Sequence, residues 1–511
     1  VYGMLQRADT VGLFQVESRA QMATLPRLKP DHFYDLVVEV AIIRPGPIVG
    51  KMVHPYLDRR AGREPVSYPH PLLEPILKRT LGVPLFQEQL LRMAMTVADF
   101  TGGEAEDLRR AMGFKRSEKR MRDIEGRLRA GMARNGLTGQ TADDIVRSIT
   151  SFALYGFPES HAASFALLAY ASAFLKRYHC AAFTAALLNN QPMGFYHPFT
   201  LVKDAQRHGT SFRAIDVTRS DWDCVLEPND GGCGGGEEPP SCRAAPQSPP
   251  LDSEAAPLRG VAIDIDDSND DRYRDDNRRD PTEPSVRLGL RYVSGLREAA
   301  GRRIVQARPF ASLQDFVDRT GLRRDEQQRL AEVGALNAFG LTRRSALWQV
   351  ERAGRPRGRL AFEEPAAAAS PLPEMAFDER LHADMVGTGL TVGRHPLHLH
   401  RETLAARGVR RAKDLPALEE GRLVRVAGAV ICRQRPGTAK GFLFLTLEDE
   451  TGLVNVTVRP DLYERSREVL VAEPVLEVDG VLQVREGVSV RALSVRSAQL
   501  PAFPTSSRDF R

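Results

Sequence analysis

The chain has 511 residues, 42% of them hydrophobic, with 71 Lys and Arg against 66 Asp and Glu and a formal net charge of +5. That length supports three or four domains with ordinary cores, and no apolar run reaches the roughly 18 residues that a membrane-crossing helix needs. Five cysteines in so long a chain argue against a disulfide scaffold and suit a reducing, cytoplasmic compartment.

Val11–Val16 predicts a short strand leading into Glu17-Ser18-Arg19. Residues 31–50 read as a helix with Phe33, Leu36, Val37, Val40 and Ala41 on one side. It ends at Arg44-Pro45-Gly46-Pro47, where two prolines and a glycine impose an extended turn. Residues 51–85 are proline-rich and read as irregular. An amphipathic helix over 86–99 and further helices over 104–134, 140–153, 162–189 and 197–208 make the first 210 residues mostly helical.

Within this helical part, Leu108–Arg116 (LRRAMGFKR) places Arg109, Arg110, Lys115 and Arg116 close together. Arginine's planar fork suits phosphate bidentately and lysine adds a point charge, so the run predicts a polyanion partner rather than a solvated face. A second glycine motif follows at Tyr155–Ser164. There Gly156 permits a sharp turn, and Ser160 is placed to cap a helix whose first N–H groups favour an anion.

Residues 228–285 are Gly/Pro/Ser-rich, then Asp/Asn/Arg-rich, and read as a disordered or loosely ordered insertion. Cys224, Cys233 and Cys242 recur without CxxC pairs, which makes them linker thiols rather than zinc ligands. Asp264-Ile265-Asp266-Asp267 gives the DxD pattern used in two-metal nucleotidyl transfer. It lies in a low-complexity run instead of on a rigid strand, so it receives no catalytic assignment.

From Val286 the pattern becomes ordered again. Leu288–Val305 and Leu330–Gly340 read as two helix-hairpin-helix elements, with Gly295 and Gly334 as the turns that offer backbone N–H groups to a DNA phosphate. Arg302, Arg303, Arg343 and Arg344 flank them; a plain helical-bundle turn is the competing reading. Gly393–Leu404 holds three histidines within six residues without a nearby cysteine, which favours packing and surface roles over a metal site. Alternation then predicts five strands over 422–432, 441–447, 452–458, 474–484 and 487–495, as in an OB-fold barrel. Arg433, Arg435, Lys440, Phe442 and Phe444 would give that barrel a base-stacking, phosphate-tracking face, unless the phenylalanines fill its interior.

The motifs VGLFQVES (Val11–Ser18), RPGP (Arg44–Pro47), FQEQ (Phe86–Gln89), LRRAMGFKR and YGFPESHAASFA (Tyr155–Ala166) occur in the order and spacing of one family. On these residues the chain resembles the bacterial C-family replicative polymerases, the DnaE-type alpha subunit of DNA polymerase III. Arg433–Val456 is especially similar to the error-prone, damage-inducible branch. The resemblance implies a multidomain chain of helical fingers and helix-hairpin-helix domains followed by a β-barrel. Its divisions would be 1–30 (end of the palm), 31–215 (fingers), 216–227 (connector), 228–285 (insertion), 286–350 (tandem hairpins), 351–421 (linker and short helices), 422–500 (OB fold) and 501–511 (tail).

The implied activity is addition of deoxynucleotides to a primer 3′-OH for synthesis across DNA damage. By resemblance Arg109 and Arg110 contact the incoming triphosphate, with Arg44 and Lys115 as further phosphate contacts. Gly156, Phe157, Ser160 and His161 would lie near the nucleotide and nascent base pair. The start at Val1 rather than Met suggests a piece of a longer protein. The catalytic aspartates and their Mg²⁺ are then expected on palm strands preceding it. Implied partners are primer-template DNA, deoxynucleoside triphosphates and, through accessory proteins, a sliding clamp; no membrane is implied. Two alternatives stay open: a replicative alpha subunit, or for these residues alone a non-catalytic DNA- and nucleotide-binding portion.

Overall fold

The computed structural model describes residues 1–43, 53–111, 118–152, 157–228, 283–353, 370–436, 439, 441–484, 487–500 and 508–510. Helices α1 (Tyr2–Gln6), α2 (Arg19–Leu28), α3 (Phe33–Ile42), α4 (Val53–Arg60), α5 (Gln87–Ala98), α6 (Gly102–Ala111), α7 (Glu118–Arg134), α8 (Gly139–Phe152), α9 (Glu159–Tyr178), α10 (Cys180–Asn189) and α11 (Pro198–Arg207) build the first part.

The centre of this part is α3 packed along α9. Helix α9 buries Ala162, Ala166, Ala169 and Ala173, small residues three or four apart that let another helix approach closely. Helix α3 fills the gap with Leu36, Val37, Val38, Val40, Ala41 and Ile42. It also carries Glu39, which is fully buried with no hydrogen-bond partner for either carboxylate oxygen.

Three local expectations are corrected. Val11–Val16 forms turns, because Gly12 and Gln15 take left-handed φ values of 77° and 61° that an extended strand excludes. Residues 53–60 form α4 where irregular chain was expected, since Tyr56 and Leu57 bury against the core. The helix expected over 162–189 is two, α9 and α10, broken at His179 with φ −140° and ψ 48°.

A small three-stranded sheet joins this part to the next. Strand β1 (Phe212–Arg213) runs parallel to β3 (Ser285–Arg287), and β2 (Val225–Glu227) runs antiparallel to β3 with Glu227 opposite Ser285. Helices α12 (Glu298–Gln306), α13 (Leu313–Thr320), α14 (Arg324–Glu332), α15 (Arg343–Ala353) and α16 (Phe377–Thr388) follow. Their buried residues share one cluster with α10 and α11.

After the short β4 (Val409–Arg410), strands β5 (Leu423–Gln434), β6 (Leu443–Glu448), β7 (Leu453–Val458), β8 (Val475–Gln483) and β9 (Ser489–Ser497) close into a barrel in the order β5-β6-β7-β9-β8, with β8 pairing back to β5. Alternation settles which side chains fill it. Leu443, Leu445 and Leu447 point inward with Val456, Val458, Val478 and Val490, which leaves Phe444 on the outer face. The expected architecture, helical domains followed by an OB-type barrel, is the one observed.

Candidate nucleotide and nucleic-acid site

The starts of α5 and α9 are tied together by the FQEQ motif. Gln89 Oε1 accepts from the backbone N–H groups of Leu85 and Phe86 at 2.8 and 3.1 Å, and its Nε2 donates to Thr80 Oγ1 at 2.9 Å. This fixes the first turn of α5, from which Glu88 Oε2 accepts the N–H of Glu159 at 2.9 Å. In the reverse direction the N–H of Gln87 donates to the Phe157 carbonyl at 3.2 Å. The Glu159 side chain is held in turn by Tyr34, whose hydroxyl donates to it at 2.8 Å. Arg79 lies over the Tyr34 ring at 3.9 Å. Burial, and then the Glu159 acceptor, push the Tyr34 hydroxyl above its ordinary range.

This bracing presents Ser160 and His161 on an exposed first turn of α9. Pro158 is the N-cap, so Ser160 sits one residue inside the helix and does not cap it. The His161 ring lies 4.1 Å from Phe165 and 5.1 Å from Phe157, and Phe14 meets Phe165 edge-on at 5.3 Å. The Val11–Ser18 and Tyr155–Ala166 motifs thus meet in one aromatic group. Gly156, Arg44 and Lys115 lie outside the described residues.

Arg109 and Arg110 stand exposed in the last turn of α6, where cations complement the helix dipole. Both reach the one carboxylate of Glu106. Arg109 Nη2 is 2.7 Å and Arg110 Nε 3.1 Å from Glu106 Oε1, so the trio keeps a net positive charge. The Arg109 hydrogen bond, outweighing burial, holds Glu106 at a pKa of about 2. Helix α5 packs on both α6 and α7, which makes it the common neighbour of the arginine helix and the His161 turn.

The two hairpin turns differ. Gly295 has φ 83°, and a Cβ placed there would meet nothing within 4 Å. Gly334 has φ 79°, but a Cβ there would come within 2.8 Å of Arg343 Nε. Arg343 is fixed on Asp384 at 2.7 Å and on the Arg380 carbonyl at 3.0 Å, and Arg344 on Glu379 at 2.7 Å. Arg302 pairs with Glu298 at 2.6 Å, and Arg303 donates to the Thr320 carbonyl at 3.2 Å. The first turn is open to an approaching phosphate; the second is filled by the protein's own guanidinium.

On the barrel, Arg433 donates to the carbonyls of Leu470 and Glu473, each at 2.7 Å. Arg435 lies over Tyr463 at 4.0 Å and reaches Glu464 at 3.4 Å. Phe442 is half-buried, and Lys440 lies outside the described residues. Phe444 is met by Arg19, whose guanidinium carbon is 5.2 Å from the ring centroid. Arg19 also donates to the Leu445 carbonyl and, at 3.3 Å each, to Thr446 Oγ1 and Asn455 Oδ1. Burial lowers the Arg19 pKa to about 10. Beside it Glu448 accepts from Thr200 and Arg207, each at 2.9 Å. The β6–β7 face, the one OB folds use for oligonucleotides, is therefore docked on α2 and α11.

These docking residues escaped the sequence reading. The available signal was an acidic run, Glu448-Asp449-Glu450, ending a strand in a net basic chain.

Two acidic groups were tested as divalent-metal sites, and neither fits. Asp9 and Asp204 enclose the buried Lys176 ammonium at 3.0 and 2.8 Å, with His208 Nε2 2.6 Å from Asp9. Burial alone would raise the Asp9 pKa, but Lys176 and His208 hold it far below the carboxylate range. Asp31, His32 and Asp35 gather about Arg60, which grips Asp35 at 2.5 Å. Each cluster already has its cation.

Helical segments with an exposed arginine pair, an open hairpin turn and a five-strand barrel define a modular nucleic-acid-handling chain. Comparison with known proteins is more specific. Residues 1–136 match the bacterial DNA polymerase III alpha subunit finger domain, 209–346 the helix-hairpin-helix motif and 413–498 the OB-fold nucleic acid binding domain. The chain is 48% identical, over 100% of its length, to the error-prone DNA polymerase of Anaeromyxobacter dehalogenans, covering 42% of that protein. It is likewise 48% identical to that of Pseudomonas fluorescens, covering 46% of it, and 47% identical to that of Methylococcus capsulatus, covering 44%. The sequence relationship is thus to the bacterial DNA polymerase III alpha subunits and, among them, to the error-prone kind. The chain spans less than half the length of these relatives.

Proposed function

We propose that this chain is the fingers, hairpin and barrel portion of an error-prone DNA-directed DNA polymerase working across damaged template. In the whole protein the primer 3′-oxygen forms a bond to the α-phosphorus, the bond from that phosphorus to the bridging oxygen breaks, pyrophosphate leaves, and the hydroxyl proton is lost. Mg²⁺ held by carboxylates elsewhere in the whole protein would activate that hydroxyl and stabilise the leaving group. The acidic clusters described above do not serve that role, so these residues contribute binding.

In this reading Arg109 and Arg110 exchange Glu106 for triphosphate oxygens, and Arg44 and Lys115 add charge. Ser160 and His161, with Gly156 and Phe157, flank the nucleotide and nascent pair. Gly295, with Arg302 and Arg303, takes a duplex phosphate, while Gly334, Arg343 and Arg344 support that domain from behind. Residues 31–215, 286–350 and 422–500 are the fingers, hairpin and barrel domains, and a sliding clamp is reached through accessory proteins. Among the described residues no helix is long and apolar enough to cross a membrane.

The observation that carries the reading is the Glu88–Glu159 tie, which turns His161 and its aromatic neighbours outward on a rigid mount. The test is equilibrium binding of a fluorescent deoxynucleoside triphosphate. Arg109→Ala and His161→Ala are each expected to weaken it about ten-fold, about 1.4 kcal/mol. Unchanged binding by both variants would remove the proposed site. The chain by itself is expected to give no primer extension with Mg²⁺.

A further inference from the structure

One face of α9 is apolar and uncovered. Leu167 is 56% exposed, Leu168 51%, Phe174 41%, Leu175 44% and Tyr178 51%. They lie at the three- and four-residue steps that align side chains along a helix. A row this long on a soluble protein marks a contact surface. Its register gives the second fact. Leu168 and Leu175 stand seven and fourteen residues beyond His161, and Leu167 and Phe174 seven and fourteen beyond Ser160. The apolar row is therefore the continuation of the face that presents the proposed nucleotide residues. The opposite face, Ala162 to Ala173, is spent on α3.

We infer that this face of α9 is the seat of the carboxylate-bearing catalytic portion of the polymerase. The inference rests on the proposed function. Two observations select this occupant over a second copy or an unrelated protein. The relatives carry more than half of their length outside the matched residues, the chain covering 42% of the A. dehalogenans protein. Metal-bound carboxylates must also come within a few ångströms of the phosphates they act on, so whatever bears them must abut the face that holds His161. An apolar seat in register with His161 fixes that approach, and the exposed Arg177 and His179 at the far end favour acidic residues on the rim of the partner surface.

The test uses a full-length chimera in which this chain replaces the matched part of the A. dehalogenans enzyme, alongside the chain alone. Hydroxyl-radical footprinting reads labelling at Leu168, Phe174, Leu175 and Tyr178 directly. At least five-fold lower labelling in the chimera is expected; equal labelling would overturn the proposal. Leu168→Glu with Leu175→Glu should restore labelling of Phe174 and Tyr178 in the chimera and leave the melting temperature of the chain alone unchanged. If Phe174 and Tyr178 stay protected, the seat lies elsewhere. Should the glutamates unfold the chain, Leu168→Ala with Leu175→Ala reads the same footprint. Sedimentation of the chain as a dimer with these residues protected would assign the face to a second copy and also overturn the proposal. Nucleotide binding by the chain is untouched by any of these outcomes, so failure of the seat and failure of the proposed nucleotide site are told apart.

Discussion

Arg207 Nη1 lies 2.9 Å from Glu448 Oε1, and Glu448 is wholly shut off from solvent. One group comes from the last turn of α11 and the other from the end of β6, 241 residues apart in sequence. Burial raises the carboxyl pKa, with Arg207 working against it. Breaking a buried pair from one side costs about 3–5 kcal/mol, because the partner is left buried without compensation. Arg207→Ala is therefore expected to lower the barrel's unfolding transition in scanning calorimetry by that order. An unchanged transition would mean that the pair does not hold the barrel.

Glu39 gives a prediction with a pH sign. Burial raises its carboxyl well above the ordinary value, so the folded chain holds it neutral. The unfolded chain releases that proton above about pH 4.3, so stability falls by about 1.4 kcal/mol per pH unit from there up to the raised folded value. Glu39→Leu removes this penalty. The variant should gain stability over the wild type at pH 8, with the gap narrowing towards pH 5. Urea denaturation at both pH values checks it, and a gap independent of pH would count against the neutral carboxyl.

The two hairpin glycines separate binding from stability. Gly295→Ala leaves its surroundings uncrowded and is expected to weaken duplex DNA binding several-fold, with a strain cost of about 1 kcal/mol from its left-handed backbone. Gly334→Ala meets the same strain and in addition the Arg343 guanidinium. It should lower the melting temperature more and DNA affinity less. Fluorescence anisotropy with a primer-template, set beside thermal melts, distinguishes this order from its reverse.

Glu106 occupies the two arginines proposed to take the triphosphate. Removing the competitor should tighten nucleotide binding, and Glu106→Ala is expected to lower the dissociation constant about three-fold. A weaker complex would show that Glu106 organises the pair instead of occupying it.

The helices and barrel strands were legible because their signals are local. Periodicity placed α5 and α11 within a residue or two, and alternation placed all five barrel strands. The Val11–Val16 segment was misread because the left-handed conformation of Gln15 is imposed by packing and has no signature in composition. Ser160 was taken for a cap because Ser so often is one, whereas the helix begins after Pro158. The composite parts of the site escaped altogether. Glu88 meets Glu159 across 71 residues and Arg19 meets Thr446 across 427, and no window on the sequence spans such pairs.

The antiparallel register of β2 and β3 sets Glu227 directly opposite Ser285. The chain leaves this small sheet and returns to it at neighbouring positions, so the stretch between the two strands closes on itself like the loop of a hairpin. Lengthening such a loop adds only a logarithmic entropy cost. The sheet edge therefore works as a graft point, where sequence can be inserted or trimmed while the spacing between the helical part and the barrel stays the same.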